Sequence, residues 1–340
     1  MKTIRGTDIS LDGEIKYSQV PIAKLDFNFI ENYILKDGDL VMITTADCGM
    51  TGVFRKQDFD YIPSAYAVKI TLNKMGDPEY FKYFFQTNHA KNEVKSFIRK
   101  ATVANLPCSD ILRIKLYLPN IAEQEKIASL LGAIDRRLTQ LRRKRELLQT
   151  YKRGVMQKIF AQKIRFKSAI GSPFPEWEQK KLGQFAPLQR GFDLPVDNIV
   201  EGQFPVVFSN GILKRHHEYK VTSPGVVTGR SGTIGKVMYI EENFCPHNTS
   251  LWVTDFKGNF PRFVYYFYIW LDLTRFSSGS GVPTLNRNDV HTYSIDFPLI
   301  QEQEKIANFL TAIDRKIETL TRQIEQTEQF KKGLLQKLFI

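Results

Sequence analysis

The sequence predicts an α+β (mixed α/β) protein in which two globular domains are separated by two long antiparallel coiled-coil helices. Three observations lead to this prediction: a long segment occurs twice, its apolar residues recur at helical spacing, and β-prone runs precede it. Residues 119–160 recur as residues 298–339, an offset of 179, and 21 of the 42 paired positions are identical. A repeat of this kind predicts a pseudo-two-fold molecule made from one chain.

Each copy of the repeat is predicted to form one long helix. Its apolar residues recur at heptad spacing: Ile127, Leu131, Ile134, Leu138, Leu141, Leu148 and Val155 in the first copy, and Ile306, Leu310, Ile313, Ile317, Leu320, Ile324, Leu334 and Leu338 in the second. A stripe this narrow cannot bury itself, so we expect the two copies to pair, and the chain order favours an antiparallel pair. Polar residues at four seam positions predict either imperfect packing or a surface left open for another protein: Arg145, Lys152, Thr327 and Lys331.

The stretches before the helices are predicted to be mixed α/β. Residues 38–45 and 224–230 are β-prone runs, and each leads into a glycine pair. The aromatic segments 80–85 and 263–270 predict buried helices, and a last strand is expected before each proline that precedes a long helix. The predicted segments are a first domain at 1–118, a central helix at 119–167, a linker with a second domain at 168–297, and a C-terminal helix at 298–340.

Composition narrows the class of protein. A hydrophobic fraction of 42% and a charged fraction of 25% are typical of globular proteins, and no apolar run approaches the roughly 18 residues of a membrane span. Three scattered cysteines predict neither a disulfide framework nor a zinc site, and they favour a cytoplasmic location. The net charge of +12 favours nucleic acid or an acidic partner.

The sequence offers no complete catalytic motif. Residues 229–236 suggest a phosphate loop, but they have five residues between the outer glycines and Val237 where a serine or threonine is needed, so we expect a tight turn between strands. The five histidines form no metal-binding pair. We find no methyltransferase tetrapeptide and no glycine-rich nucleotide loop. The chain is therefore predicted not to be an enzyme by itself, and to hold no metal or cofactor.

The chain resembles the specificity subunit of type I restriction–modification systems. Three motifs carry the resemblance, and each occurs twice: Glu-Gln-Glu-Lys-Ile-Ala at 123–128 and 302–307, Ala-Ile-Asp-Arg at 133–136 and 312–315, and Lys-x-Gly-x-x-Gln-Lys-x-Phe at 152–160 and 331–339. The stretch Trp177–Gly183 carries the resemblance as well. The resemblance implies two target-recognition domains that each read one part of a split DNA site, with helices that set the spacer. It also implies two methyltransferase subunits docked on the helices and motor-nuclease subunits in the restriction complex. S-adenosylmethionine, and ATP with magnesium, would be bound by these partners.

One departure from the family pattern concerns the first domain. In the second half about 27 residues, 177–203, precede the stretch 204–211, whereas the first half opens almost at the corresponding place, with residues 2–9. We therefore expect the first recognition domain to lack its opening segment and to be the weaker reader.

Candidate DNA contacts are polar residues in loops that flank the predicted strands. In the first domain they are Arg5, Thr7, Asp8, Thr44, Thr45, Arg55, Lys56, Lys100 and Asn105. In the second domain they are Ser209, Asn210, Lys214, Arg215, Arg230, Ser231, Ser278, Asn286 and Arg287. Residues 135–167 contain twelve lysines and arginines and two acids. This stretch is predicted to be either a solvated helix face or a positively charged rod that lies beside DNA or beside an acidic partner.

Two alternatives remain open at this point. One is a coiled-coil adaptor whose two domains bind proteins rather than DNA. The other is the specificity subunit of a restriction enzyme that cuts on both sides of its site.

Overall fold

The computed structural model describes residues 1–23, 30–99, 102–114, 116–278 and 283–339. The chain forms two compact units, one of residues 1–144 with 320–340 and one of residues 145–319. Each unit therefore contains one globular domain, the beginning of the long helix that follows it, and the end of the other long helix.

Among its described residues, the globular part of the first unit has five strands and three short α-helices: β1 (Lys2–Ile4), β2 (Leu40–Ile43), β3 (Thr51–Val53), β4 (Tyr61–Pro63), β5 (Ala67–Ile70), α1 (Pro78–Phe84), α2 (Asn88–Phe97) and α3 (Cys108–Ile111). Strand β2 is central and pairs antiparallel with β3 and with β5, while β1 and β4 form a parallel pair. All four residues of β2 are buried, as its unbroken apolar sequence requires. The predicted strand within residues 38–45 is confirmed.

The first long helix and the second unit follow: α4 (Ile121–Phe160), β6 (Glu178–Lys181), α5 (Leu182–Phe185), β7 (Leu188–Arg190), β8 (Phe204–Phe208), β9 (Gly211–His216), β10 (Gly225–Gly229), β11 (Val237–Ile240), β12 (Cys245–Pro246), β13 (Ser250–Val253), α6 (Pro261–Leu271), β14 (Ser277–Ser278), β15 (Thr284–Leu285), α7 (Arg287–Thr292), β16 (Ser294–Phe297) and α8 (Ile300–Lys337). The main sheet has the antiparallel order β11–β10–β13–β7. Residues 230–236 connect β10 to β11, with positive φ angles at Gly232 and Gly235. The expected connection between two strands is confirmed, but it is a seven-residue loop rather than a tight turn.

Both aromatic segments form buried helices, as predicted. Helix α1 begins at the cap Asp77, whose carboxylate accepts a hydrogen bond from the backbone N–H of Tyr80, and Tyr80 to Phe84 are all buried. Helix α6 buries six of its eleven residues against the main core of the second unit. It ends at Asp272, which adopts a left-handed conformation with φ of 53°.

The prediction of a last strand in the first domain is wrong. Residues 294–297 form β16, which pairs antiparallel with β6, but residues 112–114 and 116–118 have no strand in the described part of the chain. Residues 1–118 contain no counterpart of the β6 sequence Glu-Gln-Lys-Lys. A strand without a neighbour leaves its backbone hydrogen bonds unmade, which explains the difference.

The two long helices pair antiparallel within each unit. In the first unit Asp135 lies 2.7 Å from Lys331 and Arg142 lies 2.7 Å from Glu328, so one residue number rises as the other falls. In the second unit Lys152 and Asp314 repeat the first of these pairs at 2.6 Å. Most seam residues predicted from the heptads are buried, among them Ile127, Leu131, Ile134, Leu138, Leu141, Ile306, Leu310, Ile313, Leu320 and Ile324.

The polar residues at two seam positions are not packing defects. Lys152 and Lys331 keep only 16% and 11% of their side chains exposed, and each ammonium lies between a carboxylate of the facing helix and a tyrosine ring of the neighbouring domain. The seam therefore carries buried ion pairs where the heptad pattern suggested weak packing or an open surface.

Each aspartate of the repeated Ala-Ile-Asp-Arg segment also binds the aromatic helix of its own unit. The Tyr83 hydroxyl donates to Asp135 at 2.8 Å, and the Tyr266 hydroxyl donates to Asp314 at 2.7 Å. Burial and then the nearby Asp135 charge raise the pKa of Tyr83. Burial is also the main cause of the raised pKa of Tyr266. Both tyrosines therefore stay protonated as donors.

The first and last turns of the repeat complete this attachment. The buried Gln124 accepts from the N–H of Asp77 at 2.9 Å, and the buried Gln303 accepts from the N–H of Phe260 at 3.0 Å. At the other end, Phe339 packs on Tyr80 with ring centroids 4.9 Å apart. Its counterpart Phe160 contacts α6 in the second unit, with 5.0 Å to Trp270. We call the glutamine, aspartate, lysine and phenylalanine that hold one aromatic helix the socket of that unit.

The two copies differ at the glutamate that precedes the socket glutamine. Glu302 is fully buried and accepts two hydrogen bonds of 3.0 Å from Arg165 and one of 3.1 Å from Trp177. Glu123 is exposed in the first turn of α4. The buried pair fixes the linker of the second unit onto the start of α8.

Replacing Lys152 by methionine is expected to lower the free energy of unfolding by about 1–3 kcal/mol, because Asp314 loses its cation but stays partly buried beside Tyr266. The pair of Arg142 and Glu328 is the matched control, since both side chains are about half exposed. Arg142→Ala is expected to cost less than about 1 kcal/mol. Chemical denaturation of the intact chain, followed by circular dichroism, measures both variants. Equal losses would contradict a stabilising role for the seam lysine.

Candidate nucleic-acid interface

A polar cleft of about 580 Å³ opens on the second unit. Four segments line it: the end of β7 with the turn after it, the residue after β10, one residue of β13, and the chain from β15 into α7. The lining residues are Gln189, Arg190, Gly191, Phe192, Asp193, Arg230, Leu251, Thr284, Leu285, Asn286, Arg287 and Asn288. We call it the arginine cleft, because it contains three arginines and one acid.

Sheet pairing brings these distant segments together. Strand β7 pairs with β13, which places Arg190 opposite Leu251, and β13 pairs in turn with β10. Beyond β10, the carbonyl of Arg230 accepts from the N–H of Leu285 at 2.8 Å. Asn286 then caps α7 by accepting from the N–H of Asn288 at 3.0 Å. The cleft floor is therefore set by backbone hydrogen bonds rather than by loop conformation alone.

The turn after β7 is held close to the chain around His247. A Cβ atom at Gly191 would collide with the carbonyl oxygens of Pro246 and His247, so only glycine allows this approach. The N–H of Phe192 donates to the carbonyl of Pro246 at 2.8 Å. The Phe192 ring, 40% exposed, stacks on Trp252 with ring planes 29° apart. The rim of the cleft is thus rigid at this point.

Asp193 is the one acid of the arginine cleft, and it is fully paired with neighbouring donors. Its Oδ2 accepts from Nη1 of Arg190 at 3.0 Å, its Oδ1 accepts from Nη2, and Asn248 donates to Oδ1 at 2.6 Å. The hydrogen bond from Asn248 and then those from Arg190 lower the pKa of Asp193. The carboxylate therefore stays ionised near neutral pH.

The side chains in the arginine cleft are those that bind the edges of DNA bases. Arginine donates two hydrogen bonds to guanine, and asparagine or glutamine forms a donor–acceptor pair with adenine. The cleft presents Arg190, Arg230 and Arg287 with Gln189, Asn286 and Asn288. Three positive charges against one negative charge also favour a polyanion.

The structure brings together most of the second-domain residues predicted to contact DNA. Arg230, Asn286 and Arg287 line the arginine cleft, and Ser231 and Ser278 both pair with Thr284 at its edge. Other predicted residues lie elsewhere in the domain. Ser209 and Asn210 lie in the turn between β8 and β9, and Lys214 and Arg215 lie on β9 beside a different cleft. Arg215 pairs with Glu242 at 2.8 Å.

The first-domain candidates are more scattered. Thr45 and Asn105 form an isolated β-bridge, which brings two predicted loops together, and Thr7 and Lys56 are exposed. Lys100 lies outside the described residues. The remaining candidates are buried or engaged in ion pairs, as described next.

Three first-domain candidates are poorly suited to contact DNA. Asp8 is fully buried and accepts from Arg5, so its carboxylate is not available, and Thr44 is also buried. Arg55 pairs with Glu79 and Asp37. It lines a cleft of about 710 Å³ in which acids outnumber bases, and this excess of negative charge repels phosphate. The six acids are Asp12, Glu14, Asp77, Glu79, Glu125 and Asp135, and the three bases are Arg55, Lys82 and Arg136. These candidates were predicted from their positions in loops, and loop position shows neither burial nor ion pairing.

The sequence interpretation missed the β7 side of the arginine cleft. Gln189, Arg190 and Asn288 were not predicted, nor was Asn248, which fixes Asp193. A polar pair followed by glycine and an aromatic residue, as in residues 189–192, was the available signal. Its importance depends on pairing with β13, about sixty residues later, which local patterns do not show.

His216, His217 and Glu218 form a group whose possible metal-ligand atoms lie within 4.8 Å of one another. However, Nδ1 of His216 already contacts the backbone of Val200, whose nitrogen is 3.2 Å and whose carbonyl oxygen is 3.1 Å away. Glu218 pairs with Lys220 at 3.3 Å. A metal ion bound through these atoms would have to compete with these contacts.

Across the described residues, no helix is long and apolar enough to cross a membrane. The longest helices, α4 and α8, carry charged residues throughout their exposed faces.

Comparison with known proteins gives a consistent result. Residues 2–149 and 175–329 match the family described as the type I restriction modification DNA specificity domain. The chain is 25% identical over 285 residues to the putative type I restriction enzyme MjaX specificity subunit of Methanocaldococcus jannaschii, covering 77% of this chain and 67% of that protein. It is 24% identical over 300 residues to the MjaVIII specificity subunit of the same organism, covering 78% and 70%.

Solved structures share the fold. The S subunit of a type I restriction–modification system from M. genitalium aligns with a TM-score of 0.65 and 18% identity, over 89% of this chain and 83% of that one. The HsdS subunit from Thermoanaerobacter tengcongensis aligns with a TM-score of 0.54 and 16% identity, over 99% and 90%.

The family match occurs twice, and each matched stretch contains one globular domain with the start of the long helix that follows it. The doubled sockets show the same organisation at the level of contacts. The chain belongs to the type I restriction–modification DNA specificity family.

Proposed function

We propose that this chain is the sequence-specific DNA-recognition subunit of a type I restriction–modification complex, and that the arginine cleft reads one half of a bipartite target. The observation that carries the proposal is the convergence of three arginines with Gln189, Asn286 and Asn288 on a rigid sheet edge. These are the side chains that discriminate bases in the major groove.

The charge distribution favours DNA over the protein-binding adaptor. Phosphate attraction needs exposed cations, and α4 carries several that face solvent, among them Arg136, Arg137, Arg153 and Lys158. The second domain adds a basic, polar cleft whose arginine, asparagine and glutamine side chains are those that bind base edges. Salt-dependent binding to a random duplex separates the two functions, because phosphate contacts weaken steeply with salt.

We propose that the first unit reads the other half of the target near Thr45 and Asn105, whose bridge joins two polar loops. The surroundings differ from those in the second unit. A cleft of about 640 Å³ beside this bridge has an apolar floor with Cys48, Met50 and Val94, and two lysines, Lys91 and Lys95, against Asp47. The two readers would therefore recognise different sequences.

We propose that catalysis belongs to partner subunits. Methyltransferase subunits with S-adenosylmethionine would dock on the helical region, and motor-nuclease subunits with ATP and magnesium would join in restriction. Leu147 and Tyr151, one turn apart on α4 and more than half exposed, offer an apolar patch for such docking. The complex would work in the cytoplasm, where its cysteines stay reduced.

Arg230→Ala and Arg287→Ala are expected to change the methylated motif in one half only, because both side chains line the arginine cleft. Each lost base contact should weaken binding to the target by about 1–3 kcal/mol. The complex with its methyltransferase is expressed in a host free of methylation, and the motif is determined by long-read sequencing. Lys257→Ala, in the same unit but outside the cleft, is the matched control. An unchanged motif in both arginine variants would exclude the cleft as a reader.

Replacing residues 177–297 by the corresponding stretch of another family member should change one half of the target and leave the other intact. The reason is that this stretch lies within the second unit, while the socket residues of the first unit are untouched. The same sequencing of methylated motifs measures the result. A change in both halves would contradict independent readers.

Four residues inserted after Gln140, and four after its counterpart Thr319, should lengthen the unread spacer by one or two base pairs. Each insertion adds about 6 Å of helix, against ~34–36 Å per 10–10.5 base pairs of duplex. Matched insertions keep Asp135 opposite Lys331 and Lys152 opposite Asp314. Some stability is lost because the heptad is interrupted.

An insertion in α4 alone is the control for the matched pair, and it is expected to reduce methylation by disturbing the ion pairs. If the doubly extended protein methylates DNA at the original spacing, the helices do not set the spacer.

A further inference from the structure

Arg190 pairs through its side chain with a neighbouring residue before any ligand arrives. It is the last residue of β7, where its backbone is fixed opposite Leu251 of β13. Its two terminal nitrogens both donate to the carboxylate of Asp193, which also accepts from Asn248. The guanidinium is thus bound by Asp193, three residues away, and Asp193 is held in turn by the distant Asn248.

This pairing leaves a second face of the guanidinium free for a ligand. A guanidinium has five N–H donors, and the fork to Asp193 uses one on each terminal nitrogen. The Nε–H and a neighbouring terminal N–H form another edge that can donate two parallel hydrogen bonds. The side chain is 44% exposed and lines the arginine cleft, so a ligand in the cleft can reach the guanidinium.

We propose that Arg190, oriented by Asp193, reads one guanine of the half-site recognised by the second unit, through its O6 and N7 atoms in the major groove. This inference rests on the proposed function of the arginine cleft and adds the identity of one base. In this arrangement Arg190 touches the base, whereas Asp193 is a positioning residue.

Guanine fits this edge better than the other bases or the phosphate backbone. Guanine offers two acceptors side by side in the major groove, whereas adenine and cytosine each present an amino donor there. A phosphate would bring a negative charge next to the carboxylate of Asp193, and the two would repel each other. The carboxylate therefore favours a neutral ligand with two acceptors.

The sharpest test removes one acceptor atom from the DNA. The complex with methyltransferase is titrated with duplexes of its methylated motif in which each guanine is replaced in turn by 7-deazaguanine or inosine. For one guanine of the second half-site, 7-deazaguanine should weaken binding of the unmodified protein roughly 5- to 150-fold. Inosine, which keeps O6 and N7, should be tolerated at the same position.

Substitutions identify the protein partner of that atom. In Arg190→Ala the loss caused by 7-deazaguanine should disappear, and Arg190→Lys should not restore it, because lysine lacks the rigid fork. Asp193→Asn should reduce discrimination at this guanine and strengthen binding to unrelated duplex. Asp255→Asn and Lys257→Ala, an exposed pair in the same unit, are the matched controls and should behave as the unmodified protein.

Two results would overturn the assignment of guanine to Arg190. One is that 7-deazaguanine still weakens binding of the Arg190→Ala variant at every guanine where it weakens binding of the unmodified protein. The other is that this variant weakens all duplexes equally and lowers the salt dependence, as loss of a phosphate contact would. In either case the proposed function stands if Arg230→Ala or Arg287→Ala still alters the half-site. If none of the three arginine variants alters it, the arginine cleft itself is not the reader.

Discussion

The structure depends on one repeated interaction, the aspartate of each Ala-Ile-Asp-Arg segment. Asp135 and Asp314 each accept a hydrogen bond from a tyrosine of the aromatic helix and pair with a lysine of the facing long helix. One carboxylate thus fixes a domain, its own long helix and the end of the other. Because these charges are largely removed from water, any displacement of one partner leaves another unsatisfied, which makes the geometry specific.

Two further identical pairs of the repeat support the same attachment. The glutamines at the first turn and the phenylalanines at the last turn contact the aromatic helices or the residues that cap them. The arginine cleft of the second unit contains none of these socket residues, and it has three arginines and one acid. A polar cleft of the first unit, which includes Asp135, has six acids and three bases. A common scaffold therefore carries two different surfaces.

Local patterns predicted the elements but not their long-range partners. Heptads gave the two helices, aromatic runs gave α1 and α6, and glycines gave the turn after β10. The role of Lys152 and Lys331 was missed because an ion pair across a seam depends on the register of two distant segments. The burial of Asp8 and the absence of a last strand in the first domain likewise depend on neighbours elsewhere in the chain. Of the cleft, sequence supplied Arg230, Asn286 and Arg287, which lie beside predicted turns, but not Arg190, whose position depends on pairing with β13.

Affinity and specificity have different physical requirements, and our proposal assigns them to different residues. Exposed cations along α4 can attract any phosphate backbone, because flexible lysines and arginines need no fixed geometry for this. Discrimination between bases needs donors that cannot adjust to the wrong partner. Around Arg190, a strand end, a glycine packed against two carbonyl oxygens and a carboxylate that accepts two of the five guanidinium N–H groups restrict the available geometry. Because all of these contacts lie within the second unit, its cleft can change in sequence without disturbing the socket that attaches the domain to the helices.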